Sequence, residues 1–188
     1  TRLTPVAVTG ITDAVALTAG GYHTCAVLSG GTAKCWGNNG MGQIGDGTTT
    51  FRKTPVVVTG LAGATSITGG HNHTCATLAD DTVRCWGFNN VGQVGDGSAV
   101  QNVLTPAAVA DLSTVASLDA GLYHGCAVLD DGTMRCWGRN TQAQLNSFAY
   151  DVFSFMATGI KASPRTTDSG ASSDKVIELA RAQSLATR

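Results

Sequence analysis

One fifteen-residue pattern occurs three times at an almost constant interval, and it constrains the fold of this chain more than any other feature. The copies are HTCAVLSGGTAKCWG, HTCATLADDTVRCWG and HGCAVLDDGTMRCWG, which begin at His23, His73 and His124. Successive copies are 50 and 51 residues apart, and together they contain all six cysteines and all three tryptophans. A fixed period of this length indicates a solenoid, a propeller or another array of packed units.

The spacing of the paired cysteines predicts a disulfide across a β-hairpin. Each copy has a three-residue loop whose last residue is Gly31, Asp81 or Gly132, where a left-handed residue is needed. Counting outward from the loop places the two cysteines directly opposite each other, at a Cα separation that a disulfide can bridge. A Cys2His metal site is the alternative, but it lacks a fourth ligand. The predicted disulfides are Cys25–Cys35, Cys75–Cys85 and Cys126–Cys136.

The same register assigns the repeated histidines and tryptophans to the structural core. Each tryptophan lies opposite a small residue, and each histidine lies opposite a glycine, near which we expect it to form a hydrogen bond. Tryptophans and cysteines point to opposite faces of the hairpin, because side chains alternate along a strand. A second role for the tryptophans as ligand platforms is left open. The predicted core residues are His23, Trp36, His73, Trp86, His124 and Trp137.

Two further strands complete each unit. The segments AVALTAG, TSITGG and VASLDAG precede the hairpins, and TPVAV, TPVVV and TPAAV begin at Thr4, Thr54 and Thr105. Proline at the start of the latter segments suits an edge strand. We therefore predict an all-β propeller with four-stranded blades, of which about three are present in residues 1–160. The repeats run over about 4–53, 54–104 and 105–160, with FSFMATGI (153–160) as the last outer strand.

The C-terminal residues depart from the repeat. Residues 161–174 have the polar composition of a linker. Residues 173–188 are compatible with a short helix capped by Ser173, which would need a surface on which to dock, or else with a disordered tail. We therefore expect 161–188 to be a linker followed by a possible short helix.

The order of motifs resembles the regulator of chromosome condensation (RCC1) repeat family. The first unit carries Gly20-x-x-His23, Trp36-Gly37-x-Asn39 and Gly42-Gln43-Ile44-Gly45, and the second unit carries the same series. The third unit has Ala143 and Asn146 where glycines are expected. The resemblance implies propellers of usually seven blades that serve mainly as binding platforms. The paired cysteines are similar to those of bacterial secreted members rather than to the nuclear exchange factors.

Composition and the absence of known motifs argue against several classes of function. A formal net charge of −1 gives no electrostatic case for binding nucleic acid, and no apolar run is long enough to span a membrane. No nucleophile, phosphate-loop or zinc-hydrolase motif is present, so we expect no catalytic residues, no cofactor and no bound metal. One carboxylate in each GDG loop is weak support for calcium. Paired cysteines favour a secreted or cell-surface location.

The sequence thus predicts a non-enzymatic extracellular binding or structural module. The most variable loops are 48–53, 98–104 and 146–151, where we expect partner contacts. Exposed blade sides would favour self-association or assembly with other chains, whereas a capping tail or a longer propeller would cover them. The alternative function is nucleotide exchange on a small GTPase. The residues expected on the exposed sides are Val27, Leu28 and Trp36 at one end and Val128, Leu129 and Trp137 at the other.

Overall fold

The computed structural model describes residues 2–146, and every regular element in this range is a β-strand. The first sheet consists of Ala14–Ala19 (β1), His23–Leu28 (β2), Ala33–Gly37 (β3) and Arg52–Val57 (β4). The second consists of Ala64–Gly69 (β5), His73–Leu78 (β6), Val83–Phe88 (β7) and Asn102–Ala108 (β8). The third contains Val115–Ala120 (β9), His124–Leu129 (β10) and Met134–Gly138 (β11). The prediction of all-β propeller blades is confirmed.

Each complete sheet takes its outer strand from the following sequence repeat. Strand β4 contains the TPVV segment that begins the second repeat, and it pairs with β3. Strand β8 contains the TPAA segment that begins the third repeat, and it pairs with β7. The strand predicted at Thr4 is wrong, because residues 4–8 are in no strand. A TP segment pairs with the hairpin of the preceding unit, and no such hairpin precedes Thr4 in the described residues.

The outer strand predicted at 153–160 and the helix predicted within 161–188 lie outside the described residues. No helix that is long and apolar enough to cross a membrane occurs in residues 2–146.

The hairpins have the predicted register. Cys25 pairs with Cys35, Cys75 with Cys85, and Cys126 with Cys136. The third loop residue is left-handed in every hairpin, with φ of 75° at Gly31, 59° at Asp81 and 81° at Gly132. Its amide nitrogen lies 2.8–3.0 Å from the carbonyl oxygen of the leucine that precedes the loop. The loop therefore closes tightly and fixes which residues face each other.

The blades pack with unlike faces together. The core between the first and second sheets joins Cys25, Val27 and Cys35 of the first to Ile67 and Trp86 of the second. The core between the second and third sheets likewise places the face that carries Cys75 and Cys85 against the face that carries Trp137. Alternation along the strands produces this arrangement, since each hairpin has a disulfide face and a tryptophan face.

Candidate functional site

Three disulfides clamp the hairpins. Cys25–Cys35, Cys75–Cys85 and Cys126–Cys136 each have a Cα–Cα distance of 4.1 Å, as directly opposed residues in an antiparallel pair require. No cysteine is free. The first two disulfides are fully buried, whereas the third is half-buried because the next blade position is not filled in residues 2–146. Disulfide formation excludes the alternative Cys2His metal site.

The tryptophans join neighbouring blades. Trp86 is fully buried, and its Nε1 donates a hydrogen bond to the carbonyl oxygen of Gln43 in the preceding blade at 3.0 Å. Trp137 repeats the contact with the carbonyl oxygen of Gln93 at 3.1 Å, although it is half-buried. Trp36 is also half-buried and has no such partner blade among the described residues. The two tryptophans that have a preceding blade therefore make the same contact with it.

The histidine rings pack against backbone glycines, and the hydrogen bond of His23 differs from the one predicted. The His23 ring packs on Gly20, where an added Cβ would lie 2.2 Å from Cε1, rather than bonding beside the opposite Gly37. Its Nε2 lies 2.8 Å from Thr74 Oγ1 of the next blade. The Thr74 hydroxyl in turn donates to the carbonyl oxygen of Gln43 at 2.8 Å. The repeated Gly-x-x-His spacing therefore reflects a close approach of ring and backbone.

The second histidine lacks this partner. Gly125 takes the position of Thr74 in the third blade, so His73 has no threonine hydroxyl to contact as His23 does. Burial lowers the pKa of His73 to about 4, with the charges of His23 and His124 as further causes, while a backbone hydrogen bond at His124 acts in the opposite direction. Burial also lowers the pKa of His23 to about 4, with His71 contributing. Both histidines are thus neutral near pH 7. His124 is half-buried, and its ring packs on Gly121.

The GDG loops are held by their own side chains. Asn39 Oδ1 accepts from the Ile44 amide at 2.9 Å, and Asn39 Nδ2 donates to Asp46 Oδ1 at 3.1 Å. Asp46 also pairs with Arg52. Burial alone would raise the pKa of Asp46, but hydrogen bonds from Thr48 and Arg52 lower it. No group of three metal-ligating side chains occurs in residues 2–146. The aspartate thus acts as a structural anchor.

One end of the blades carries an aromatic surface. The turns between the first two strands of each blade and the long loops after the third strand lie at the same end, because neighbouring strands are antiparallel. Here Tyr22 and His71 make an edge contact with centroids 5.3 Å apart, and His71 lies 5.8 Å from Tyr123. The Arg139 guanidinium stands 5.6 Å from the centre of the Tyr123 ring. Exposed Leu122 extends this surface, which we call the aromatic face.

The sequence prediction missed the centre of the aromatic face. The predicted loops 48–53 and 98–104 follow the third strands, but their last residues, from Arg52 and from Asn102, belong to β4 and β8. Most of 146–151 lies outside the described residues. The residues of the aromatic face differ between repeats at equivalent positions. One such position is occupied by Tyr22, Asn72 and Tyr123 in the three repeats. Such departures from the repeat are the signal that was available in the sequence.

The two outermost blade sides differ from those expected. Val27 is fully buried and shares the disulfide face with Cys25, so it packs toward the second blade. Leu129 and Trp137 pack in the same way on the other interface. The first blade therefore presents a tryptophan face with Trp36 and Leu28 half-buried, which we call the tryptophan end. The third presents a disulfide face with Val128 half-buried and Met134 63% exposed, which we call the disulfide end.

These features define a class of protein: four-stranded propeller blades that interlock through an inter-blade tryptophan and a Gly-x-x-His contact. The sequence model of the regulator of chromosome condensation (RCC1) repeat matches residues 32–77 and 80–128, about half of the chain. A second model of the same repeat matches 14–43, 64–93 and 115–144. The chain belongs to the RCC1 repeat family. No curated protein matches it by sequence.

Solved structures support the assignment of the fold. Prp20p from Saccharomyces cerevisiae is 27% identical, with a TM-score of 0.66 over 76% of this chain and 35% of that one. Yeast RCC1 (Prp20) bound to Kap60 is 20% identical, with a TM-score of 0.64 over 70% of this chain and 33% of that one. Human WBSCR16 is 18% identical, with a TM-score of 0.61 over 66% and 33%. The chain spans about a third of the length of these proteins.

Proposed function

We propose that the chain is a non-enzymatic extracellular binding module that presents the aromatic face on disulfide-clamped blades. The aromatic face carries this proposal: Tyr22 and Leu122 are 67% and 65% exposed, and both are held by turns between rigid strands. Tyrosine at an interface provides a large contact area with little loss of conformational freedom. Exposed aromatic side chains on a fixed frame favour recognition of a protein partner.

An extracellular location is supported by the disulfides. All six cysteines are paired, and two of the three pairs contribute to the cores between blades. Such bonds persist in oxidising compartments and are rare in reducing ones. The proposed module would therefore work outside the cytosol.

Assembly with further copies or other chains is favoured by the two ends of the array. The tryptophan end and the disulfide end are the two kinds of face that pack together at both internal interfaces. Contact between the tryptophan end of one copy and the disulfide end of another would repeat that packing. A heterologous contact of this kind either closes into a ring or continues as a filament.

Site-specific photo-crosslinking tests the binding proposal. A benzophenone amino acid at position 22 or 122 should crosslink a protein from the extracellular fluid of the producing cells. The same probe at Ala79, in a hairpin loop at the opposite end of the blades, is the matched control. Equal crosslinking at all positions, or none at 22 and 122, would refute the aromatic face as the binding surface.

Sedimentation tests assembly separately. The weight-average mass should rise with concentration for the parent chain, and Trp36→Glu should abolish the rise. A monomer that does not associate at high concentration would rule out assembly through these ends without affecting the aromatic face.

A second candidate is regulation of nucleotide exchange on a small GTPase. It is favoured by the likeness to Prp20p, whose structure was described together with its binding to Gsp1p and histones. The net charge of −1 and the disulfides weigh against a nuclear role of this kind. Stimulated nucleotide release from a GTPase by the purified chain would place this function first.

A further inference from the structure

The first interface between blades satisfies a buried glutamine fully. Gln43 Oε1 accepts a hydrogen bond from the Met41 amide at 2.9 Å. Its Nε2 donates to Asn38 Oδ1 at 3.0 Å and to Asn72 Oδ1 at 3.3 Å. Asn38 follows the hairpin of the first blade, and Asn72 lies in the turn that leads into the hairpin of the second. Every polar atom of the amide therefore has a partner in this interface.

The second interface contains the same glutamine without its partners. Gln93 Oε1 accepts from the Val91 amide at 3.0 Å, which repeats the first contact. Phe88 and Tyr123, however, occupy the positions that correspond to Asn38 and Asn72. Gln93 is 0% exposed, and its Nε2 has no hydrogen-bond partner among the described residues. A buried donor without a partner is unfavourable, so the second interface departs from the first where Phe88 and Tyr123 replace the asparagines.

A cavity of about 410 Å³ lies at this interface. Its size is within the range of small-ligand sites, roughly 300–1,000 Å³. Phe88 and Tyr123, which replace the two asparagines of the first interface, both line it. The other lining residues are Asn90, Val91, Arg139 and Thr141.

The charge of the cavity selects a class of ligand. Arg139 Nε donates to Thr141 Oγ1 at 2.8 Å, which holds the guanidinium over the Tyr123 ring. No carboxylate is among the residues that line the cavity. The walls of Phe88, Val91 and Tyr123 are apolar or aromatic. One cation beside such walls matches a carboxylate attached to an apolar group.

We propose that this cavity binds a carboxylate borne by an apolar group, as an aspartate or glutamate beside an aromatic residue in a partner peptide presents it. Arg139 pairs with the carboxylate, and Phe88 and Tyr123 enclose the apolar part. This proposal rests on the proposed function as a binding module and adds the chemistry of the partner to it. A free aromatic acid has the same chemistry and is the other possible source.

Nuclear magnetic resonance of the full ¹⁵N-labelled chain tests the site directly. The probes are acetyl-Phe-Asp-amide and phenylacetate, with acetyl-Phe-Asn-amide and phenylacetamide as neutral controls. The acids should shift the side-chain signals of Arg139 and leave the side-chain amide of Gln43, which belongs to the other interface, unchanged. The neutral controls should bind at least about tenfold more weakly, since they lose the charge-assisted contact. Tighter binding of the peptide would assign the site to a protein partner. Tighter binding of phenylacetate would assign the site to a small acid and would overturn the peptide as ligand.

Two variants complete the test. Arg139→Gln should remove the preference for the acids over the neutral probes. The double variant Phe88→Asn with Tyr123→Asn rebuilds the first interface, so it should lose binding of every probe while melting no lower than the parent. Absence of any shift up to about 10 mM probe, a weak affinity by any standard, would overturn the proposal. So would equal binding of acid and neutral probes, or unchanged binding by the double variant. Crosslinking through positions 22 and 122 would still succeed in those cases, so failure here is distinguishable from failure of the binding module.

Discussion

Replacement of Trp86 by alanine tests the packing of the blades most sharply. The indole is fully buried in the core between the first two blades, against Ile44 and Val58, and it lies so close to Gly45 that an added Cβ there would be 2.6 Å from Nε1. Its removal leaves a cavity that the flanking strands cannot collapse to fill. Large-to-small changes of this kind cost about 3–5 kcal/mol.

The lost hydrogen bond adds little to this value. The carbonyl oxygen of Gln43 that accepts from Trp86 also accepts from the Thr74 hydroxyl, so it keeps one partner. We therefore expect Trp86→Ala to lower the free energy of unfolding by about 3–5 kcal/mol, and Trp86→Phe, which keeps a ring, by about 1–2 kcal/mol. Trp36→Ala is the matched control, because Trp36 is half-buried with no blade on its outer side in the described residues. We expect that variant to lose about 1–2 kcal/mol.

Urea unfolding followed by far-ultraviolet circular dichroism measures these differences without relying on tryptophan fluorescence. With a urea m-value of about 2 kcal/mol per molar, Trp86→Ala should move the midpoint by roughly 2 M. An effect of Trp86→Ala no larger than that of Trp36→Ala would refute the argument. It would mean that Trp86 is not enclosed by the neighbouring blade and serves instead as an exposed platform.

Three other expectations follow from the structure. Unreduced protein should have a mass six daltons below the fully reduced chain, since each disulfide removes two hydrogens. As reductant is added, the cysteines of the half-buried third disulfide should be the first to be alkylated, as timed mass spectrometry would show. The free energy of unfolding should have its full value above pH 6.5 and should fall as the pH drops toward 4, because folded His23 and His73 have pKa values of about 4 whereas an unfolded histidine takes up its proton near 6.5. The loss approaches about 3 kcal/mol per histidine. A midpoint in urea that does not change between pH 7.5 and 4.5 would contradict this expectation. Gly70→Ala should destabilise strongly, since the added Cβ would lie 2.2 Å from His73 Cε1 and 2.5 Å from the Gly121 carbonyl oxygen, whereas Gly30→Ala, which meets nothing within 4 Å, should melt close to the parent.

The hairpins were predictable from the sequence because their geometry is local. A three-residue loop with a left-handed last residue determines every pair outward from it, so the opposition of Cys25 and Cys35 follows by counting. The side-by-side packing of blades followed from the repeat, since one unit cannot bury both faces of its hairpin alone. The same register assigned all three tryptophans to the core; Trp86 is fully buried there, whereas Trp36 and Trp137 are half-buried.

Contacts between blades were not predictable in the same way. Which face of a hairpin meets its neighbour depends on how successive sheets rotate, and the spacing of residues within a repeat does not determine that rotation. The burial of Val27 and the bond from His23 to Thr74 therefore emerged only from the structure. The cavity beside Tyr123 depends on two departures from the repeat that lie 35 residues apart in the chain, at 88 and 123. Neither departure is informative without the other.

The outer strand that each sheet takes from the next repeat has a consequence for how such arrays evolve. A tandem duplication of one repeat places the new copy between two blades, where it supplies an outer strand to the blade before it and receives one from the blade after it. The inserted repeat is thereby joined to both neighbouring blades by backbone hydrogen bonds, and no existing sheet is divided. Lineages can accordingly change the number of blades by whole genetic units, while substitutions at positions such as Asn72 and Tyr123 diversify one junction at a time.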